Sequence, residues 1–219
     1  MDVITPIDER ISVRGFTEKP VPREMIVDLL DAARNAPSAS IKQALNFFVV
    51  RGESRDLLCN DLLEACKKRD KHYDPSRGKT IPSIYLERTK KLLKAIRSHL
   101  NEMNKQAVPF LEEGSCLFYG APVLVLVTMD RAHPQSKLVD IGCAVENLVL
   151  AAQQKGLGTC IIALVLMFEQ LIRERLEIDD NLSLVVCIAL GHPDSALPVN
   201  NLRAPKEALT EMTRWIGFD

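Results

Sequence analysis

Arg10-Ile11-Ser12-Val13-Arg14 places two guanidinium groups and a hydroxyl at alternate positions, and in extended geometry alternate side chains point the same way. An arginine presents a planar fork of donors matched to phosphate oxygens, and a serine hydroxyl between two of them adds one more hydrogen bond. The cluster suits a bound dianion; standing alone, it suits a solvated basic turn as well. Other chemistries find less support. The six cysteines form no C-x-x-C pair, and the four histidines form no H-E-x-x-H or i, i+4 pair, so neither a redox motif nor a metal site is indicated. There is no Walker A run and no G-x-S-x-G elbow. Gly156-Leu157-Gly158 ends a predicted helix instead of opening one, so it lacks the setting of a Rossmann phosphate turn.

Composition narrows the partners. The 219 residues allow one large domain with a substantial core. Lys plus Arg number 28 against 29 for Asp plus Glu, which favours neither nucleic acid nor an anionic membrane surface. Basic residues between Lys67 and Lys105 are interleaved with acids and apolar positions, as on a solvated helical face. Most cysteines sit in apolar runs and read as buried thiols in a reducing cytosol. Met1-Asp2-Val3 lacks the features of a leader, and no apolar run approaches the roughly 18 residues that span a bilayer. A soluble, cytoplasmic protein is expected.

The elements that must position the cluster follow from periodicity. Pro22 opens a helix carrying Met25, Ile26, Leu29, Leu30 and Ala33 at helical spacing, closed by Asn35-Ala36-Pro37. A loop with Ser38 and Ser40 follows, then a buried strand from Asn46 to Val50. Ser54 is expected to cap a helix running to about Lys68. A loop from Arg69 to Pro82 and a polar helix from about Ile84 to Asn104 interrupt the core regions, as either an excursion over a site or a peripheral helix. Val123 to Val127 reads as a strand buried on both faces. Asp140 to Gln154 is a helix with so little polar face that it should be central. A strand from Thr159 to Leu164, a short charged helix near Phe168 to Leu176 and a last core strand from Leu184 to Leu190 complete the order. The tail keeps Trp215, Ile216 and Phe218, which need somewhere to bury.

Several of these stretches, in this order, resemble the FMN-dependent nitroreductase family: Arg10 to Arg14 with Gly15-Phe16-Thr17, Ala36-Pro37-Ser38-Ala39-Ser40, the helix Asp140-Ile141-Gly142-Cys143-Ala144-Val145-Glu146-Asn147, Gly156-Leu157-Gly158-Thr159-Cys160, and Gly191-His192-Pro193 with Arg203 and Pro205. The resemblance spans nearly the whole chain and is weakest from about 69 to 113. It implies an α+β fold with a central, mainly antiparallel sheet flanked by helices, and an interlocked homodimer with an exchanged C-terminal arm. Residues 1–219 would form a single FMN-binding domain, with a lid-like helical excursion at about 69–113.

Carried over position by position, the resemblance implies that Arg10, Ile11, Ser12, Arg14 and Arg203 hold the phosphate and ribityl chain of FMN. Pro37, Ser38, Ala39 and Ser40 would line the site from the partner subunit, and Ile162 and Ala163 would lie against the flavin ring by backbone contacts near N5. Three arginines and a hydroxyl match a phosphomonoester carrying close to two charges. No catalytic side chain and no metal are implied, because the flavin carries the hydride chemistry. The expected function is transfer of reducing equivalents from NADH or NADPH, as co-substrate, through flavin N5 to a small electron-poor acceptor such as a nitroaromatic or quinone. The alternative is an FMN-binding protein that sequesters or senses flavin with little turnover. One departure stands out: where the family commonly continues its second loop with Asn, Gln, Pro and Trp, this chain reads Ile41-Lys42-Gln43-Ala44-Leu45, which predicts a more apolar ring pocket.

Overall fold

The computed structural model describes residues 3–69 and 78–218, except the side chain of Ile41. Its centre is β2 (Val123–Asp130), in which every residue from Val123 to Met129 is buried. The strand alternates between two cores: Leu124 and Leu126 face one, and Val123, Val125 and Val127 face the other. That is the consequence of period-two geometry in a strand covered on both faces. Around it lie β1 (Leu45–Arg51), β3 (Gly158–Ile162) and β4 (Leu182–Gly191) in the order β1-β2-β4-β3, every pairing antiparallel. Register runs from Leu45 opposite Met129 to Arg51 opposite Val123, and from Gly158 opposite Gly191 to Ile162 opposite Cys187.

Helices cover both faces. On one, α2 (Arg23–Arg34) contributes Ile26, Leu29 and Ala33, and α6 (Leu138–Gln154) contributes Ile141, Ala144, Leu148 and Ala152. On the other, α3 (Gly52–Lys68) supplies Leu58 and Leu62, with Phe118 and, from α7 (Glu169–Leu176), Ile172. A third cluster joins Ile96 and Leu100 of α4 (Ser83–Asn101) to Ala107 of α5 (Ala107–Cys116) and to Val199 and Leu202. The expected α+β architecture with an antiparallel sheet is therefore present.

Several expectations need correction. A first helix, α1 (Ile4–Glu9), and α5 were not foreseen; α1 buries only Pro6, and α5 carries Pro109 and Gly114, so neither has a clear apolar stripe. α3 begins at Gly52, whose φ of 60° suits glycine, so Ser54 lies inside the helix and caps nothing. β3 stops at Ile162, and Leu164 to Phe168 form a 3-10 turn. The excursion at 69–113 includes 70–77, which lie outside the described residues. α6 is not enclosed by its own chain: Leu138 and Val139 are 42% and 69% exposed, and Gly142 and Glu146 are exposed beside them. Beyond Leu202 the tail leaves Leu209, Trp215, Ile216 and Phe218 exposed.

Candidate functional site

The N-terminal cluster is fixed by docking onto the head of β3. After α1, Ser12 forms a parallel bridge with Thr159, and the Val13 amide donates to the Thr159 carbonyl at 2.9 Å. Val13, 3% exposed, occupies space that exists because residue 158 is glycine. A Cβ there would stand 2.6 Å from Val13 Cγ2 and 2.8 Å from Pro193 Cγ. The chain then changes partner. The Arg14 amide donates to Asn200 Oδ1 at 2.7 Å, and Asn200 Nδ2 donates to the carbonyls of Gly15 and Asp194 at 2.8 and 2.9 Å. Thr17 N donates to the His192 carbonyl at 3.0 Å. The Gly191-His192-Pro193 turn and the start of the chain are thus stitched together, and Arg203 follows, its Nη1 donating to the Asp8 carbonyl at 2.6 Å.

Arg10, Ser12, Arg14 and Arg203 are therefore gathered around one strand end, but they do not form one row. Arg10 Nε lies 3.6 Å from Glu146 Oε1 on α6. Arg14 turns toward the opposite side of the sheet, where it lines a cavity of about 400 Å3 with Phe16, Phe110 and Tyr119. Uniform extended geometry fails because Ser12 pairs with β3 while Arg14 pairs with Asn200. Arg14 Nη1 donates to the Ser12 carbonyl at 3.2 Å, and its buried Nε has no hydrogen-bond partner. A buried unpartnered donor on a cation is costly and marks where an acceptor is needed. Tyr119 nearby is pushed up to about 12, chiefly by burial. Ile11 is half-buried between the two arginines.

Further along β3 the strand opens. Cys160 and Ile162 are 4% exposed and belong to the core, whereas Ile161 is 43% exposed and Ala163 is exposed. Ile162 therefore offers only backbone to a ligand on this edge. The side chain that faces out is Ile161, which sequence reading missed because an unbroken Cys-Ile-Ile run hides the alternation of an edge strand. β4 continues past the end of β3 to Leu182, and there a cleft of about 750 Å3 is lined by Ala163, Leu138, His133, Gln135 and Met167.

Pro37, Ser38, Ala39 and Ser40 sit at the start of α6, not at the Arg10–Arg14 cluster. Ser38 Oγ donates to Asp140 Oδ2 at 3.3 Å, and the Ala39 amide donates to the same oxygen at 3.0 Å. Lys137 Nζ donates to the Ala39 carbonyl at 2.6 Å and to Asp140 Oδ2 at 3.0 Å. Neither Lys137 nor the role of Asp140 was visible in the sequence, since the contact spans about a hundred residues. Of the altered segment, Ala44 is 5% exposed in the core beside α2, so it does not shape a ligand pocket, and Leu45 opens β1. The side chain of Ile41 lies outside the described residues.

Among the described residues no group of His, Cys, Asp and Glu is arranged to hold a metal ion, and no helix is long and apolar enough to cross a membrane. Residues 7–192 match the nitroreductase family model. The chain is 31% identical to a 4-nitrobenzoate reductase of Pseudomonas putida, over 97% of this chain and 95% of that protein. It is 29% identical to a nitrobenzene nitroreductase of Ectopseudomonas oleovorans, over 96% and 95%. Among solved structures it is similar to the FMN and NADPH-dependent nitroreductase NfnB of Sphigopyxis sp. strain HMH, with TM-score 0.87, 26% identity and complete coverage of both chains. The FMN-dependent nitroreductase NfnB from Mycobacterium smegmatis, in complex with NADPH, gives TM-score 0.85 at 26% identity, covering 98% of this chain and all of that one.

Proposed function

This chain belongs to the nitroreductase family, and from that premise we propose that it is an FMN-dependent oxidoreductase passing reducing equivalents from NAD(P)H to a small electron-poor acceptor, nitroaromatic, quinone or related. The observation that carries the reading is the polar cluster at the head of β3, with its orphaned Arg14 Nε, beside a strand end that leaves Ile161 and Ala163 open. The residues present fit FMN. Arg10, Ser12 and Arg203 supply donors for a phosphate, with the half-buried backbone of Ile11 between them, and charge-assisted bonds to such a group are the strong ones. Arg14 leaves β3 for Asn200 and places its unpaired Nε on the other side of the sheet, in the cavity with Phe16, Phe110 and Tyr119. The flavin ring would lie at the open end of the strand, against Ile161, the Ile162 backbone and Ala163. Bound FMN supplies the two-electron hydride chemistry. The chain's own work is to bind, orient and exclude water.

The same reading makes the protein a cytoplasmic homodimer. Exposed apolar groups on α1 (Ile4, Ile7), α2 (Val27), α6 (Leu138, Val139) and the tail (Trp215, Ile216, Phe218) are supporting observations, because so much exposed apolar surface is costly in water. The cleft of about 450 Å3 between α2 and β1 offers an apolar seat for an exchanged arm. In the dimer Pro37, Ser38, Ala39 and Ser40 line the partner's flavin. Within the single domain, the segment running through α4 and α5 acts as the lid-like excursion: Met103, between the two helices, and Phe110 and Gly114 of α5 line the same cavity as Arg14.

The test is a titration of apoprotein with FMN and with riboflavin. FMN is expected to bind one per subunit and more tightly than riboflavin, and Arg10→Ala should weaken FMN by about 2 kcal/mol, roughly thirtyfold. NADH or NADPH should then bleach the bound flavin without oxygen, and a nitroarene should restore its colour. Equal affinity for the two flavins, or no bleaching, overturns the proposal.

A further inference from the structure

Lys137 is 8% exposed, a rare situation for a lysine, and the side chain of its partner Asp140 is 12% exposed. A largely buried ion pair is weak evidence for stability, because desolvation offsets much of the attraction. What this pair does hold is a loop. Asp140 Oδ2 accepts from Lys137 Nζ, the Ala39 amide and Ser38 Oγ at 3.0, 3.0 and 3.3 Å, while Lys137 also donates to the Ala39 carbonyl at 2.6 Å. Ser38 Oγ in turn accepts from the Gln43 amide at 3.0 Å. The loop so tied contains two non-glycine residues in the left-handed region, Ser40 at φ 60° and Gln43 at φ 42°, a conformation that persists only where the surroundings enforce it.

These bonds sort the two serines. The Ser38 hydroxyl donates to Asp140 on α6 and accepts from the Gln43 amide within the loop, and both backbone polar groups of Ala39 are engaged, so these atoms are committed to holding the turn. Ser40 is exposed at its outer corner. We infer that Lys137 and Asp140 are positioning residues that lock the Ser38–Ser40 turn, and that Ser40, not Ser38, is the hydroxyl this loop presents to the flavin. The second half rests on the reading of the loop as a flavin-lining segment given above. Asp140 is held below the ordinary carboxylate value, first by the Lys137 hydrogen bond, consistent with a clamp that stays charged.

The experiment compares the full-length wild type with Asp140→Asn, Lys137→Met, Lys137→Arg, Ser38→Ala and Ser40→Ala. Amide hydrogen exchange on the apoproteins reads the clamp directly. At 39–43 it should be tenfold or more faster in Asp140→Asn, Lys137→Met and Ser38→Ala, unchanged in Ser40→Ala, and partly restored in Lys137→Arg relative to Lys137→Met. Exchange in the middle of α6 should be the same in all. FMN titration reads presentation: the clamp variants and Ser40→Ala should each bind at least several-fold more weakly, Ser40→Ala alone doing so with wild-type exchange and with an altered visible circular dichroism of the bound flavin. Wild-type exchange at 39–43 in both Asp140→Asn and Ser38→Ala overturns the clamp even if Lys137→Met fails to fold. Wild-type FMN binding by Ser40→Ala overturns the assignment of the presenting serine. A wild type that binds no FMN removes the flavin reading instead, and the exchange data still decide the clamp.

Discussion

At the scale of single residues, burial and hydrogen bonding set the charge states. Asp140 is held below its ordinary value of 3.8 by hydrogen bonds from Lys137, Ala39 and Ser38. A native carboxylate depressed in this way contributes stability that is present above the unfolded value and is lost as pH falls through the native one. Melting curves should therefore show Asp140→Asn less stable than wild type by a constant amount above about pH 5, with the gap closing below about pH 4; a gap independent of pH between 3 and 6 would show that the carboxylate's charge is not involved. Burial acts oppositely on the thiols, pushing Cys59 and Cys160 to about 11 and Cys187 to about 12. Alkylation of the native protein at pH 8 should spare all three, and denaturant should release them. Buried thiols were legible in the sequence, because cysteines inside apolar runs have little choice. Arg10, Ser12 and Arg14 stood out for a related reason, since their types and spacing are local, but the common direction expected of them fails because Arg14 leaves β3 for Asn200. Lys137 and Ile161 were not, since one acts through a loop distant in sequence and the other is distinguished only by lying on a sheet edge.

At the scale of elements, β3 decides whether the site exists. It is five residues long and at the sheet's edge, and its outer side receives Ser12 and Val13 in place of another strand. Gly158 makes that approach possible, so Gly158→Ala should force Val13 or Pro193 aside. Overpacking of this kind costs about 1–3 kcal/mol. Urea denaturation should show the loss of stability, and FMN affinity should fall as well, because displacing Val13 displaces Ser12 and Arg14 with it. Unchanged values for both would mean that the N-terminal stretch does not need this contact. Strong periodicity made α2, α6, β1, β2 and β4 readable from the sequence, with ends misplaced by a few residues. α1 and α5 escaped because their helicity depends on what they pack against. The pairing order β1-β2-β4-β3 could not have been read from strands that merely alternate with helices, an order equally suited to parallel crossovers; the family resemblance supplied the antiparallel sheet.

At the scale of the whole molecule, α6 carries the argument for a second subunit. Composition alone suggested a helix surrounded on all sides, yet in one chain the face at Val139, Gly142 and Glu146 is open. Gly142 sharpens the point. A glycine inside a helix costs about 1 kcal/mol relative to alanine, and a Cβ at this position would meet nothing within 4 Å of its own chain. Within the monomer, Gly142→Ala should therefore stabilise, so a glycine at this position fits a neighbour that approaches from outside the chain. Under the proposed homodimer that neighbour is the second copy, and a larger side chain at 142 should hold the subunits apart. Sedimentation at micromolar concentration should find wild type as a dimer of the 24.5 kDa chain and Gly142→Leu shifted toward monomer, with FMN binding weakened in parallel because the loop at Ser40 would be withdrawn from the partner's site. A wild-type monomer that nonetheless binds FMN would overturn the dimer reading and leave the cluster at β3 sufficient by itself. A Gly142→Leu variant that remains fully dimeric would place the subunit contact on another face, with α1 and the exposed tail as the next surfaces to substitute.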